Sequence, residues 1–172
     1  MREMHRSALV PYSAEQMFDL IEQVEHYPEF LPWCTRTQLI ERSDEIVAAT
    51  VEVGWRELHV RVTTRNEKRR PDWMAIHMQD GSFRDFFGEW KLRPLGTLGC
   101  RIDFSLRYEL ALHSEKLAGP LIDRAANQMV DAFVRRAEAV YDTAGRDGGP
   151  GPGPDGGRGP GPDDEPRQPA GS

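Results

Sequence analysis

Apolar residues recur at helical intervals near the N-terminus of the chain. They predict an amphipathic helix built on Met17, Phe18, Leu20, Ile21 and Val24. Ser13 stands before this series and Gln16 lies three residues further on, which is the spacing of a capping box. We therefore expect the helix to begin after Ser13 and to end near Glu25. Residues 3–10 alternate loosely and end before a proline, which predicts a first strand.

Between residues 35 and 110 the dominant period changes to two. In the clearest segment, polar residues alternate with Cys100, Ile102, Phe104, Leu106, Tyr108 and Leu110. Such alternation is typical of antiparallel strands with one face in the core and one face in water. Turn residues separate the strands at 43–44, 66–72, 79–82 and 94–99. We expect about six strands in this region, and about seven with the first strand.

A long helix is predicted over residues 114–141. Its apolar stripe repeats every four residues and consists of Leu117, Leu121, Ala125, Met129, Phe133 and Ala137. Gly119 and Pro120 fall in its first turns, so we expect the helix to bend there or to start afresh at Pro120. An antiparallel sheet with one apolar face needs a cover, and this stripe supplies one. The fold class is therefore α+β, and a sheet that curves around one helix often leaves a cavity between them.

The last 28 residues, 145–172, have a different composition. They contain ten glycines and seven prolines, and no aliphatic residue larger than alanine. Such a segment buries too little apolar surface to offset the entropy of ordering it. We expect a folded domain over residues 1–144 and a disordered Gly/Pro-rich tail over residues 145–172.

The charge of the chain argues against DNA binding. Its net charge of −6 divides into −2 for the tail and −4 for the domain, whereas nucleic-acid-binding domains are usually basic. One basic cluster, made of Arg61, Arg65, Lys68, Arg69 and Arg70, is interpreted as a solvated hairpin end because turn residues bracket it.

Two cysteines, Cys34 and Cys100, are too few for a disulfide framework or a thiolate metal site. The N-terminal residues lack the apolar core of a signal peptide. No apolar stretch approaches the ~18 residues of a spanning helix. We expect a cytoplasmic protein, with transient peripheral contact with the inner membrane left open.

The sequence offers no catalytic or metal-binding pattern. Its five histidines lie far apart, and no glycine-rich loop leads from a strand into a helix. Glu22 and Glu25 are expected on the exposed side of the first helix, which does not suit an acid and base pair. We therefore expect a protein that is not an enzyme, with no metal and no cofactor.

The stretch HYPEFLPWC, residues 26–34, is too apolar for an ordinary loop and holds two prolines. Phe86 and Phe87 are neighbours on a strand, so they must point to opposite faces of the sheet. These residues and the other aromatics either fill the core or line a dry cavity for a large apolar ligand. Met74, Met78 and Met129 suit an adaptable lining because methionine fills irregular gaps.

Three blocks of the chain resemble one family. They are YPEFLPWC at 27–34, DGSFRDFFGEWKL at 80–92 and MVDAFVRRAEAVY at 129–141. Their spacing over residues 1–141 resembles the coenzyme Q-binding START-domain family, which includes bacterial ribosome association toxins. The resemblance implies a helix-grip fold of the START/Bet v 1-like type, in which a curved antiparallel sheet of about seven strands wraps around a long C-terminal helix. Two short helices would follow the first strand. Ser82 departs from the family pattern, which has proline there.

The resemblance also implies that the protein binds ubiquinone or a related polyprenyl lipid as a carried ligand, supporting respiration or quinone biosynthesis. Two alternatives stay open: a translation inhibitor that blocks ribosomal subunit joining, and an aromatase/cyclase-type enzyme. With the apolar pattern, the resemblance places ligand-binding residues along a tunnel or at its mouth. The expected residues are Tyr27, Phe30, Leu31, Trp33, Met74, Met78, Phe83, Phe86, Trp90, Phe104, Leu121, Met129 and Phe133.

Overall fold

The computed structural model describes residues 1–111 and 115–142, with side chains omitted for 115–117. The helical elements are α1 Ala14–Glu22, a 3-10 turn at Val24–His26, α2 Tyr27–Phe30, α3 Glu115–Ala137 and a π-helical turn at Glu138–Asp142. The strands are β1 Arg2–Val10, β2 Cys34–Arg42, β3 Ile46–Trp55, β4 Leu58–Arg69, β5 Trp73–Gly81, β6 Phe83–Pro94 and β7 Cys100–Leu110. The predicted tail, together with His113, Ser114 and the side chain of Leu117, lies outside the described residues.

The seven strands form one antiparallel sheet in the order β1-β7-β6-β5-β4-β3-β2. Register shifts interrupt the pairing of β2 with β3, of β4 with β5 and of β6 with β7. Such bulges bend strands and increase their twist, which lets the sheet curve. The α+β prediction, with two short helices after β1 and a long C-terminal helix, is confirmed as the helix-grip arrangement.

The inward residues of β7 and the apolar stripe of α3 form the centre of the core. All six apolar residues of the β7 series are buried, as are Leu121, Ala125, Phe133 and Ala137 on α3. The inward face of β7 and the apolar stripe of α3 cover each other, so both are removed from water. Burial of this apolar surface is the main stabilising contribution in such a domain.

Polar contacts fix the helices to the rest of the fold. The capping box predicted at Ser13 and Gln16 is present, with both reciprocal hydrogen bonds formed. After α3, the Tyr141 hydroxyl donates to the Gln16 carbonyl oxygen at 2.6 Å and the Tyr12 hydroxyl donates to Asp142 at 2.8 Å. These bonds tie the π-helical turn to α1 and to Tyr12, just before α1.

Three local predictions were wrong. The first helix ends at Glu22 rather than near Glu25, because the chain tightens into the 3-10 turn. Strand β5 continues to Gly81, so only Ser82 separates β5 from β6. The helix α3 continues through Pro120 without a new start, so the bend, which is the other alternative expected there, stays a prediction.

The third wrong prediction is the turn at 66–72. Strand β4 continues to Arg69, and Asn66 and Lys68 point inward and are buried. The turn is confined to residues 70–72 because alternation carries polar side chains into the core at these two positions. By contrast, the expected divergence of Phe86 and Phe87 is confirmed, since Phe87 packs on the outer face against His77 and Arg107.

Candidate ligand cavity

An apolar cavity of about 110 Å³ lies between the sheet and α3. Strands β3 to β7 form one wall, α3 forms the opposite wall, and the segment from Val24 to Trp33 closes one side. The wall is formed by Val24, Tyr27, Trp33, Val51, Val53, Val60, Val62, Thr64, Asn66, Ile76, Phe83, Phe86, Phe104, Leu106, Ile122, Ala125, Ala126 and Met129. None of these described residues carries a charged side chain, so the cavity suits an uncharged ligand.

Six of the thirteen expected ligand-binding residues lie on this wall. They are Tyr27, Trp33, Phe83, Phe86, Phe104 and Met129. The structure therefore brings together residues from α2, the segment after it, β6, β7 and α3 that are far apart in the chain. Whether these residues bind a ligand stays a prediction.

The other seven expected residues do not line the cavity. Phe30, Trp90 and Phe133 form an aromatic cluster in which Phe133 lies 5.1 Å from Phe30 and 5.2 Å from Trp90, ring centre to ring centre. The remaining four are buried or partly buried in the core and are Leu31, Met74, Met78 and Leu121. The structure gives these seven residues packing positions, and a part in ligand binding stays a prediction for them.

Sequence reasoning missed the row of inward residues on β4. Val60, Val62, Thr64 and Asn66 alternate along this strand and all line the cavity. The period of two was visible as far as Val62. The polar residues Thr64 and Asn66 concealed its continuation, because polar residues near a proline are typical of a turn.

Two buried polar atoms on the cavity wall have no hydrogen-bond partner among the described residues. They are the indole nitrogen Nε1 of Trp33 and the amide oxygen Oδ1 of Asn66. Trp33 is 7% exposed and Asn66 is 5% exposed. Leaving such a group buried and unpaired costs about 1–3 kcal/mol. The amide nitrogen of Asn66 has only a weak acceptor, the sulfur of Met74 at 3.8 Å.

Two other polar residues in or near the cavity, Tyr27 and Lys68, are already paired. The Tyr27 hydroxyl donates to the Ile21 carbonyl oxygen, and burial raises the pKa of Tyr27 far above its ordinary value. Beyond Asn66 on β4, the Lys68 ammonium lies 3.2 Å from the Glu22 carboxylate. Glu22 is therefore not a solvated side chain, as the sequence had suggested, but part of a largely buried ion pair.

Neither cysteine has the properties of a nucleophile. Both thiols are buried, and desolvation raises the pKa of Cys34 to about 11 and the pKa of Cys100 to about 11. A thiol in such surroundings stays protonated at neutral pH and reacts slowly. Within residues 1–111 and 118–142, no three metal-ligating side chains are grouped to hold a metal ion.

The size of the cavity limits what it can hold. Sites for small molecules usually measure roughly 300–1,000 Å³, and a cavity of about 150 Å³ admits benzene. With about 110 Å³, this cavity accepts at most a small ring or part of an aliphatic chain. A complete polyprenyl quinone requires the cavity to widen.

The basic segment 61–70 is largely neutralised by carboxylates. Arg65 pairs with Glu41, Arg69 with Asp72, Arg61 with Asp80 at 3.9 Å, and Lys68 and Arg70 with Glu22. Arg61, Arg65, Arg69 and Arg70 nevertheless stay exposed, so their interpretation as a solvated hairpin end holds. It is wrong for Lys68, which is buried.

A different surface carries cations without carboxylate partners among the described residues. Trp55 lies at the end of β3 and is 50% exposed, and the Arg124 guanidinium of α3 lies 5.7 Å from the centre of its ring. Arg56 follows with a positive φ of 56°, which is uncommon for a residue other than glycine. We call Trp55, Arg56 and Arg124 the hairpin-tip cluster.

A family model described as polyketide cyclase / dehydrase and lipid transport matches residues 10–134 of the chain. The chain belongs to this family. The match covers α1, all strands except most of β1, and the greater part of α3, so it includes every element that lines the cavity.

Two curated proteins with different names are similar to this chain in sequence. The ribosome association toxin RatA of Pseudomonas aeruginosa is 40% identical over 139 residues, which is 80% of this chain and 96% of that protein. The mitochondrial coenzyme Q-binding protein COQ10 homolog B of Xenopus laevis is 30% identical over 146 residues, which is 81% of this chain and 59% of that protein.

Solved structures share the family fold at low identity. The Zhui aromatase/cyclase from Streptomyces sp. R1128 superposes with a TM-score of 0.69 at 14% identity, covering 84% of this chain and 98% of that chain. A START superfamily protein from Mycobacterium smegmatis gives a TM-score of 0.64 at 16% identity, covering 83% and 98%. At these identities the likeness shows the fold alone. No described helix is long and apolar enough to cross a membrane.

Proposed function

We propose that this protein binds a ribosomal subunit and inhibits the joining of subunits. The observation that carries the proposal is the 40% identity with the Pseudomonas protein named ribosome association toxin RatA, over 96% of that protein. Similarity of this extent includes surface residues as well as the core, whereas likeness of fold alone leaves function open.

The hairpin-tip cluster is the surface that we assign to this contact. A ribosomal subunit presents RNA phosphates and unstacked bases, and proteins meet these with cations and exposed aromatic rings. Trp55 supplies an exposed ring, and Arg56 and Arg124 have no carboxylate partner among the described residues. The segment 61–70, where the sequence had suggested a basic surface, is less suitable because its cations are already paired.

Sucrose-gradient profiles of cells that overproduce the protein test this function. We expect the wild-type protein to lower assembled ribosomes relative to free subunits, and the double variant Arg56→Ala/Arg124→Ala to lose this effect. Arg84→Ala is the matched control, because Arg84 is an exposed arginine that pairs with Glu109 at 3.8 Å. Unchanged profiles with the wild-type protein would refute subunit binding, whereas an active double variant would refute only the assigned surface.

A second candidate function is the binding of ubiquinone or another polyprenyl lipid. Two observations favour it: the apolar cavity, and the 30% identity with the coenzyme Q-binding relative. Burial of each CH₂ group contributes ~0.8 kcal/mol, so a prenyl tail gains strongly from any apolar channel that can open. Because the cavity measures about 110 Å³, this candidate requires α3 or the segment 24–33 to move.

Extraction of the purified protein with organic solvent, followed by mass spectrometry, tests lipid binding. We expect a bound isoprenoid quinone, and saturable binding of added ubiquinone. Ala126→Leu fills part of the cavity from α3 and should abolish this binding while leaving the ribosome profile unchanged. Absence of both bound and saturable quinone would count against this candidate alone. Because both candidates act by binding, no catalytic residue is assigned.

A further inference from the structure

Two residues of the cavity wall each carry a buried polar atom that has no hydrogen-bond partner among the described residues. The Trp33 indole nitrogen is a hydrogen-bond donor, and the Asn66 amide oxygen is an acceptor. Both side chains are more than nine-tenths buried. Buried polar groups in folded proteins are nearly always paired, so two exceptions on one wall indicate a ligand that pairs with both.

The surroundings of these two atoms define the chemistry of that ligand. Apart from Tyr27, whose hydroxyl is already hydrogen-bonded, and Thr64, which adds a hydroxyl group, the other wall residues are apolar. Without a charged side chain on the described wall, an ionised group would lack compensation. The volume of about 110 Å³ admits little more than a single ring.

We propose that the cavity binds an uncharged ring that carries a hydroxyl group, with the ligand accepting a hydrogen bond from Trp33 Nε1 and donating one to Asn66 Oδ1. The inference rests on the second candidate function, whose site it shares, and it specifies the ligand class. A hydroxyl group is both donor and acceptor, so a phenol or hydroquinone satisfies both atoms. A quinone ring offers only acceptors, so it pairs with Trp33 but leaves Asn66 Oδ1 unpaired. The reduced form of a quinone therefore binds more tightly than the oxidised form.

Three small probes without a prenyl tail test this selectivity. 4-Methylphenol has a donor and an acceptor, 4-methylanisole has an acceptor only, and toluene has neither. Calorimetric titration of the full chain should rank their affinities in that order, with about ten-fold for each hydrogen bond gained. Equal affinity for all three, or no binding of any of them up to their solubility limits, would overturn the proposal without any variant.

Two substitutions assign the selectivity to the two atoms. In Trp33→Phe the advantage of 4-methylanisole over toluene should disappear. In Asn66→Leu the advantage of 4-methylphenol over 4-methylanisole should disappear. Trp73→Phe is the matched control, because the Trp73 indole nitrogen donates to Glu89 at 3.0 Å and Trp73 does not line the cavity. Trp73→Phe should bind the three probes in the same order of affinity as the wild-type protein does.

The outcomes separate this inference from the functions proposed above. Full discrimination between the probes in a protein that retains no prenyl quinone would uphold the ring-hydroxyl site and refute prenyl-lipid binding. Quinone binding with no discrimination would refute the site alone. Discrimination that survives in Asn66→Leu would also refute it, because the acceptor would then lie elsewhere.

Discussion

The Lys68 ammonium lies 3.2 Å from the Glu22 carboxylate, and the lysine side chain is only 3% exposed. The pair joins the end of α1 to the inner face of β4. Glu22 also accepts from Arg70 at 3.2 Å, and Arg70 in turn contacts Asp19 at 2.6 Å. The carboxylate therefore has two cationic partners, whereas Glu22 is the one carboxylate among the described residues within 4 Å of Lys68.

This asymmetry predicts unequal effects of removing either partner. Glu22→Gln leaves a buried ammonium without a counter-charge and should lower the free energy of unfolding by about 3 kcal/mol. Lys68→Met leaves the carboxylate paired with Arg70 and should lower it by at most about 1 kcal/mol. Urea unfolding of both variants measures the difference. Equal losses would contradict the assignment of Arg70 as the second partner.

Two glycines on the β6–β7 connection allow a matched test of backbone packing. At Gly99, which has a φ of +145°, a β-carbon would lie 1.9 Å from the carbonyl oxygen of Val10. At Gly96, which has a φ of +59°, no atom of the described residues beyond its two chain neighbours lies within 4 Å of such a carbon. Gly99→Ala should therefore displace the end of β1, whereas Gly96→Ala bears only the left-handed backbone penalty of about 1 kcal/mol. Thermal unfolding should show a much larger loss for Gly99→Ala, and similar losses would refute the close approach.

The sequence predicted the parts of the fold that depend on a simple period. The β7 series and the stripe of α3 were recognisable because each buries one regular face. The end of β4 was not recognisable, because Asn66 and Lys68 are polar residues whose burial depends on partners distant in the chain. One third of the cavity wall, six of its eighteen residues, was anticipated, chiefly through aromatic side chains. Its valines and alanines were missed, since small apolar residues line a cavity and fill a core alike.

The two buried cysteines predict a loss of stability at alkaline pH. Desolvation raises the pKa of both Cys34 and Cys100 to about 11, above the ordinary value of 9.0. The unfolded chain therefore releases these protons at lower pH than the folded chain does. The stabilising effect is fully present below pH ~9 and is lost as the pH rises towards ~11.

Urea midpoints across this pH range measure the effect. They should fall more steeply for the wild-type protein than for Cys34→Ala/Cys100→Ala. A residual decline is expected in the variant, because burial also raises the pKa of Tyr12 to about 12. If the variant shows the same slope as the wild-type protein, the cysteines are not its cause. As a second readout, a thiol reagent at neutral pH should label neither cysteine before the chain unfolds.

The stretch HYPEFLPWC divides into a packing part and a cavity part. Leu31 is 0% exposed and does not line the cavity, and its backbone donates to the Tyr27 carbonyl oxygen and accepts from the Cys34 amide, both at 2.9 Å. Trp33 stands two residues further on and lines the cavity wall.

Leu31→Ala should therefore lower the free energy of unfolding by about 2–5 kcal/mol and leave the affinity of the folded protein for 4-methylphenol unchanged. Trp33→Phe retains most of the apolar contact and removes an unpaired donor, so its stability should change by less than about 1 kcal/mol while 4-methylphenol binds about ten-fold more weakly. Titration of the folded fraction of each variant, with unfolding curves recorded in parallel, separates the two effects. Weaker binding in folded Leu31→Ala would show that this leucine reaches the ligand and that the stretch acts as one unit.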